Sequence, residues 1–159
     1  MAKKKSESAH TPTLENRKAR FDYHIGDTLE VGIVLRGSEI KAVRESLVSL
    51  GEGYVMARES PLELVLLNVN IGEYGPAAAL GHKPTRPRPL LAHKREIIKL
   101  AQEVSKKGMT IVPLKLYFKN GFAKLLIGVA KGKATHDKRN TIAERESKRD
   151  IDRAMSRRR

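Results

Sequence analysis

Apolar and polar residues alternate along TLEVGIVLR (Thr28–Arg36), with Leu29, Val31, Ile33 and Leu35 on one side and Glu30, Gly32, Val34 and Arg36 on the other. A period of two predicts a half-buried β-strand. Gly37-Ser38 ends it, and Ser38 is placed to cap a short helix that carries Ile40, Val43 and Leu47 at helical spacing. After the breaks at Gly51 and Gly53, Tyr54 to Arg58 and Leu62 to Ile71 read as strands joined by a turn at Ser60-Pro61. The clearest helix is His93 to Lys107, where Ile97, Leu100, Ala101 and Val104 share one face. His93 and Glu96 stand at the spacing of a capping box, and Gly108 marks the C-terminal stop.

Met109 to Ala130 predicts a hairpin around Asn120-Gly121, the strongest short turn signal. A two-residue loop sets Lys119 opposite Phe122, Phe118 opposite Ala123, Tyr117 opposite Lys124 and Leu116 opposite Leu125. Val112, Leu114, Leu116, Phe118, Leu125, Ile127 and Val129 then form a core face. The other face shows Lys115, Tyr117, Lys119, Phe122 and Lys124. At least five short strands interleaved with helices predict a mainly β fold with helices. Closure into a Greek-key barrel with peripheral helices would remove the exposed edges.

Gly72 to Pro89 is a loop rich in Gly and Pro, and Pro84, Pro87 and Pro89 favour an extended backbone. It suits a stiff connector, or else a basic rim built from Lys83, Arg86 and Arg88. Residues 1–15 are polar and expected to be disordered, the body is expected over 16–130, and 131–159 form a tail.

Charge sharpens this division. The chain carries a net +14, and the thirty residues from Ala130 onward hold eleven Lys or Arg against five Asp or Glu. Apolar residues there are few, so the segment can be helical but cannot bury enough surface to fold alone. A near-balanced body with basic arms points to a nucleic-acid partner more than to a membrane surface. The Lys115, Tyr117, Lys119, Phe122 and Lys124 face pairs cations with rings, as RNA surfaces do. The same pattern suits a solvated sheet face; the adjoining basic tail favours RNA.

No Cys is present, which excludes disulfides and thiolate metal sites. No apolar region follows the basic MAKKKSESAH start, so neither a signal peptide nor a membrane span is expected, and the cytoplasm is the expected compartment. No GxSxG, HExxH or Walker loop occurs. His24 near Asp22 and Asp27, His82, His93, and His136 beside Asp137 lack a legible orienting third group. The chain reads as a non-enzymatic monomer with no cofactor and no metal. Two rivals stay open: a ribosomal RNA-binding or assembly-factor module, and a metal-dependent nuclease using Asp22, Asp27 and Glu30.

The motifs NRKAR (Asn16–Arg20), LEVGIVLRGSEIKAVR (Leu29–Arg44), PTRPRPLL (Pro84–Leu91), HKREI (His93–Ile97), VPLKLYFKNG (Val112–Gly121) and GVAKGKATHDKR (Gly128–Arg139) occur in the order found in the SsrA-binding protein (small protein B) family, which the chain resembles. The family usually has a basic residue where Pro89 stands and a bulkier apolar one where Ala92 stands. The resemblance implies an oligonucleotide-binding-like barrel with a disordered basic C-terminal tail that becomes helical on the ribosome. Its implied partners are the tRNA-like domain of transfer-messenger RNA (tmRNA) and ribosomes stalled during translation, the setting of trans-translation. Asn16, Glu30, Leu91 and Lys124 are implied to touch the RNA, beside Lys115 and Tyr117 of the basic–aromatic face. Lys131, Gly132, Lys133, His136, Asp137, Lys138 and Arg139 are implied to contact the decoding centre and small-subunit rRNA, where an empty mRNA channel admits the tail.

Overall fold

A computed structural model describes residues 12–76 and 81–156; the expected disorder of residues 1–11 and the tip of the 72–89 loop at residues 77–80 lie outside the described residues. The elements run β1 (Leu14–Glu15), α1 (Arg17–Asp22), β2 (Tyr23–Ile33), α2 (Gly37–Arg44), β3 (Val48–Ser49), β4 (Tyr54–Glu59), β5 (Leu62–Leu67), β6 (Asn70–Ile71), β7 (Arg88–Leu91), α3 (Lys94–Ser105), β8 (Met109–Lys119), β9 (Phe122–Gly132) and α4 (Thr135–Ser156). The main sheet is antiparallel in the order β1-β8-β4-β5-β7-β2-β9, and β8 also pairs with β9. That last pairing closes the sheet into the expected barrel, so the long strands keep no free edge. β3 and β6 make a separate two-stranded pair. Leu14–Glu15, expected to be disordered, instead pair with Leu116 and Lys115.

The interior is filled from every strand that alternates: Val31, Val55, Leu66, Ile111, Leu116, Leu125 and Ile127 are buried there. Ala42 and Val43 of α2 enter the same core, and α3 adds Ile97 and Leu100. Each of those α3 side chains contributes about 1.5–3 kcal/mol by leaving water.

The hairpin register is as the Asn120-Gly121 turn dictates, with Tyr117 opposite Lys124 and Leu116 opposite Leu125. Both turn residues have left-handed φ, 52° at Asn120 and 79° at Gly121, the geometry such a tight turn needs. One expectation fails lower down. A bulge between Pro113 and Lys115 shifts the register, so Pro113 faces Ile127 and Lys115 faces Leu126. Val112 and Leu114 therefore leave the barrel interior. They are buried instead in a second cluster with Ala19 of α1 and Ala130. A strand with both faces covered can change sides at a bulge without exposing apolar surface.

Three local expectations also change. The strand expected to run to Arg36 starts earlier, at Tyr23, and ends at Ile33. Ser38 does not cap α2: the helix starts at Gly37, and the backbone N–H of Arg36 donates to Glu39 Oε2 at 2.7 Å. Ser38 Oγ lies 3.0 Å from His82 Nδ1 instead. The strand expected over Leu62 to Ile71 is split at Asn68, whose φ is 55°.

The largest correction concerns the basic rim. Arg88 is fully buried, as is Glu39. Arg88 Nε donates to Glu39 Oε1 at 2.8 Å, and Arg86 donates to both Glu39 oxygens through Nε (2.8 Å) and Nη2 (2.5 Å). Val69, Arg86 and Pro84 carbonyls accept the remaining Arg88 bonds. Burial alone would raise the Glu39 carboxyl; the donors of Arg86, Arg36 and Arg88 outweigh it and hold it below its usual range. These two arginines staple the loop to α2 and so aim β7. Of the expected rim only Lys83 is exposed.

Candidate nucleic-acid interface

β2 alternates because one side fills the barrel, and Glu30 falls on the outside. Adjacent strands then build a continuous outer surface. Gly32 pairs with Leu91 on one side and Lys124 on the other, and Lys124 pairs with Tyr117. Leu91, Gly32, Lys124 and Tyr117 thus form one row across four strands, because cross-strand partners share a face. The next row places Glu30 beside Leu126, Leu126 beside Lys115, and Lys115 beside Glu15. Leu91 is 62% exposed, an unusual state for a large apolar side chain in a strand. Gly32 lets it lie close: a Cβ there would stand 3.2 Å from Leu91 Cβ. A cleft lined by Glu30, Gly32, Leu91, Ala92, His93 and Lys124 runs along this seam.

Glu30 is the electrostatic centre. The Tyr117 hydroxyl donates to Glu30 Oε2, and Lys119 Nζ lies 3.3 Å and 3.4 Å from the two carboxylate oxygens. The Tyr117 bond first, then Lys119 and Lys124, hold the Glu30 carboxyl below its ordinary value. The same bond pushes the Tyr117 phenol up to about 12. At neutral pH Glu30 is a carboxylate and Tyr117 a neutral donor. A carboxylate offers about four lone-pair directions, so acceptor capacity remains for base amino groups or a 2′-hydroxyl. Lys115 adds a cation 5.8 Å from the Tyr117 ring centroid and lies 3.6 Å from Glu15.

The site residues divide into three groups. Glu30, Leu91, Lys115, Tyr117 and Lys124 share the outer face. Asn16 does not join them. It is 6% exposed; its Nδ2 donates to the Leu50 and Pro113 carbonyls at 3.0 Å and 2.9 Å, and its Oδ1 accepts from Ala19 N at 3.1 Å. With its amide so committed, Asn16 caps α1 and clamps β8, away from the row that carries Leu91, Lys124 and Tyr117. Lys131, Gly132, Lys133, His136, Asp137, Lys138 and Arg139 leave the barrel at the end of β9 and pass into α4. No α4 residue is buried. The tail takes here the helical form that the resemblance assigns to the ribosome-bound state, without a core to hold it. Lys119 and Gly32 complete the face; the outward phase of each was legible, but not their contacts with Glu30 and Leu91.

Asp22, Asp27 and Glu30 do not converge. Asp22 meets Lys138 at 2.9 Å, Asp27 meets Lys99 at 3.1 Å, and Glu30 meets Lys119. Among the described residues no group of His, Asp and Glu is arranged to hold a metal ion, and no helix is long and apolar enough to cross a membrane.

Comparison with known proteins extends beyond the site. The SmpB protein family profile matches residues 13–157. The chain is 49% identical to an SsrA-binding protein of Anaeromyxobacter dehalogenans over 97% of its own length and 93% of the relative's. It is 51% identical to one from Levilactobacillus brevis, over 98% of each chain. A solved structure described as "tmRNA-SmpB: a journey to the center of the bacterial ribosome" is similar with a TM-score of 0.66 and 42% identity, over 78% of this chain and 86% of the other. A barrel of this topology, carrying this outer face and matched over nearly its whole length, belongs to the SsrA-binding protein (SmpB) family.

Proposed function

We propose that the chain binds the tRNA-like domain of transfer-messenger RNA through the outer barrel face and delivers it to stalled ribosomes in trans-translation. The observation that carries this reading is the four-strand row of Leu91, Gly32, Lys124 and Tyr117 with the ionised Glu30 beside it. It combines an apolar platform, a phosphate-seeking cation, an aromatic ring and a fixed acceptor, the set needed for an unstacked or end-exposed RNA element. Phosphate contacts position the RNA, while Glu30 discriminates donors on bases and sugars.

The tail performs the second stage. Lys131, Lys133, Lys138 and Arg139 pair with rRNA phosphates, His136 stacks on a small-subunit rRNA base, and the helix occupies the mRNA channel when it is empty. Messenger RNA in the channel excludes it by sterics and by competing for the same cations. The protein acts by binding rather than by catalysis, in the cytoplasm where ribosomes are, and needs no cofactor.

Filter-binding titration tests the division of labour. Truncation after Gly132 is expected to leave affinity for the tRNA-like domain nearly intact and to abolish tagging of incomplete products. Loss of RNA binding on truncation would overturn it. Recovery of bulk rRNA in place of a discrete RNA with a tRNA-like end would favour an assembly-factor module.

A further inference from the structure

The outer face of the barrel continues past Tyr117 toward the hairpin tip. Two residues further along each chain, the row of Leu91, Gly32, Lys124 and Tyr117 is followed by Pro89, Val34, Phe122 and Lys119, which keep its outward phase. The Val34 N–H donates to the Pro89 carbonyl at 3.0 Å, and Phe122 is the cross-strand partner of Lys119. Phe122 is 72% exposed, more than any other large apolar side chain among the described residues, and Val34 is 42% exposed. The neighbouring ring behaves differently: Phe118 packs against the core, with Arg44 5.6 Å from its centroid. Phe122 has no such cover, and the Asn120-Gly121 turn reverses the chain without its help. The fold therefore gives no reason for a ring at this position.

The surroundings say what would cover it. Lys119 and Lys124 border Phe122, and Arg36 is exposed just beyond Val34. A second copy of this chain would bring those cations face to face, whereas an RNA strand brings phosphates for the cations and a base for the ring. We infer that Phe122 is a stacking platform for one unpaired nucleotide of the bound RNA, next to the nucleotide that Glu30 reads. The inference rests on the proposed reading of this face as the seat of the tRNA-like domain. Stacking on the ring needs a base with a free face, which a pair inside a duplex lacks, so the occupant is a loop or end nucleotide. The ring has no hydrogen-bonding group and accepts any base; discrimination stays with Glu30. Val34 and Pro89 continue the apolar floor from Phe122 back to Leu91.

The chain contains no Trp, so Phe122→Trp in the full chain places a single indole at the platform. Its affinity for the tRNA-like domain is expected to stay near the parent value, and its emission to be quenched and shielded from acrylamide as that RNA is titrated in. Phe122→Ala is expected to bind about five- to a hundred-fold more weakly, the range of one base–aromatic stack. The slope of log affinity against log salt is expected to match the parent, because no phosphate contact is lost. Phe122→Leu keeps apolar area without a flat ring and is expected to bind more like Phe122→Ala than like the parent; affinity closer to the parent would reduce the contact to apolar burial and overturn stacking. Parent-level affinity in Phe122→Ala, or unchanged indole emission at saturation, overturns the inference and leaves the proposed function standing. A dimer of the free chain in sedimentation, dissolved by Phe122→Ala, assigns the patch to a second copy and overturns it as well. If the parent itself does not bind the tRNA-like domain, the proposed function fails and the inference falls with it.

Discussion

Glu39→Gln keeps the shape of a fully buried side chain and removes its charge. In the parent, one Glu39 oxygen accepts from Arg86 and Arg88 and the other from Arg86 and the Arg36 N–H. A glutamine amide has a single oxygen, so its NH2 group must face guanidinium donors. Arg88 then stays buried without its countercharge. Removing one partner of a buried pair costs about 3–5 kcal/mol. Arg88 keeps three carbonyl acceptors, which places the cost near the low end, at about 3 kcal/mol. At about 2–4 °C per kcal/mol for a chain of this size, the midpoint should fall by roughly 6–12 °C. Thermal unfolding followed by far-ultraviolet circular dichroism at pH 7 reads this directly. The pH dependence supplies an independent arm. The folded Glu39 carboxyl titrates below its usual value of 4.5, so its stabilisation is complete above that value and is lost as pH falls through the lower, folded one. The gap between parent and variant should therefore be widest at neutral pH and close under acid. A shift under about 2 °C at pH 7, or a gap that persists unchanged into strong acid, would refute the assignment of Glu39 as the carboxylate that staples the loop.

Tyr117→Phe removes the hydroxyl that orients the Glu30 carboxylate; affinity for the tRNA-like domain should drop several-fold, and the tyrosine that ionises near pH 12 should vanish from a spectrophotometric titration. Lys124→Ala should weaken binding and lower the slope of log affinity against log salt by about one, the signature of a single lost phosphate contact; an unchanged slope would remove Lys124 from the phosphate set. Asn16→Ala deletes a helix cap and leaves the Leu50 and Pro113 carbonyls short of a donor, a loss of about 2–3 kcal/mol in urea unfolding. Stability within 0.5 kcal/mol of the parent, a change typical of surface sites, would show that Asn16 is no clamp.

Local signals determined the elements whose physics is local. The Asn120-Gly121 turn permits one hairpin register, and that register alone set Tyr117 beside Lys124. The period-two pattern of β2 put Glu30 outside, and the period of α3 chose Ile97 and Leu100 for the core. His93 and Glu96 do form a cap, with the His93 N–H donating to Glu96 at 2.8 Å. Motif order carries the family resemblance, and strand phase alone turns Glu30, Tyr117 and Lys124 outward, each on its own strand, while only the β2–β9 pairing joins them into one face.

Tertiary structure decided whatever depends on residues distant along the chain. Arg88 reads as surface charge because Lys and Arg are usually solvated; only the fold brings Glu39, 49 positions away, to within 2.8 Å and makes burial affordable. Asn16 matches its family motif, yet the Leu50 and Pro113 carbonyls that consume its amide come from other strands and loops. Val112 and Leu114 could change faces because α1 covers the far side of β8, which alternation along one strand cannot reveal. The tail's composition permitted a helix but no core, and a tail disordered until bound was expected; that its first turns rest on Asp22, His24 and Phe21 emerges only when β2 and β9 lie side by side. Periodicity and turn chemistry act over a few residues and are written in the chain, whereas pairing between charges is a property of the space that the closed barrel creates.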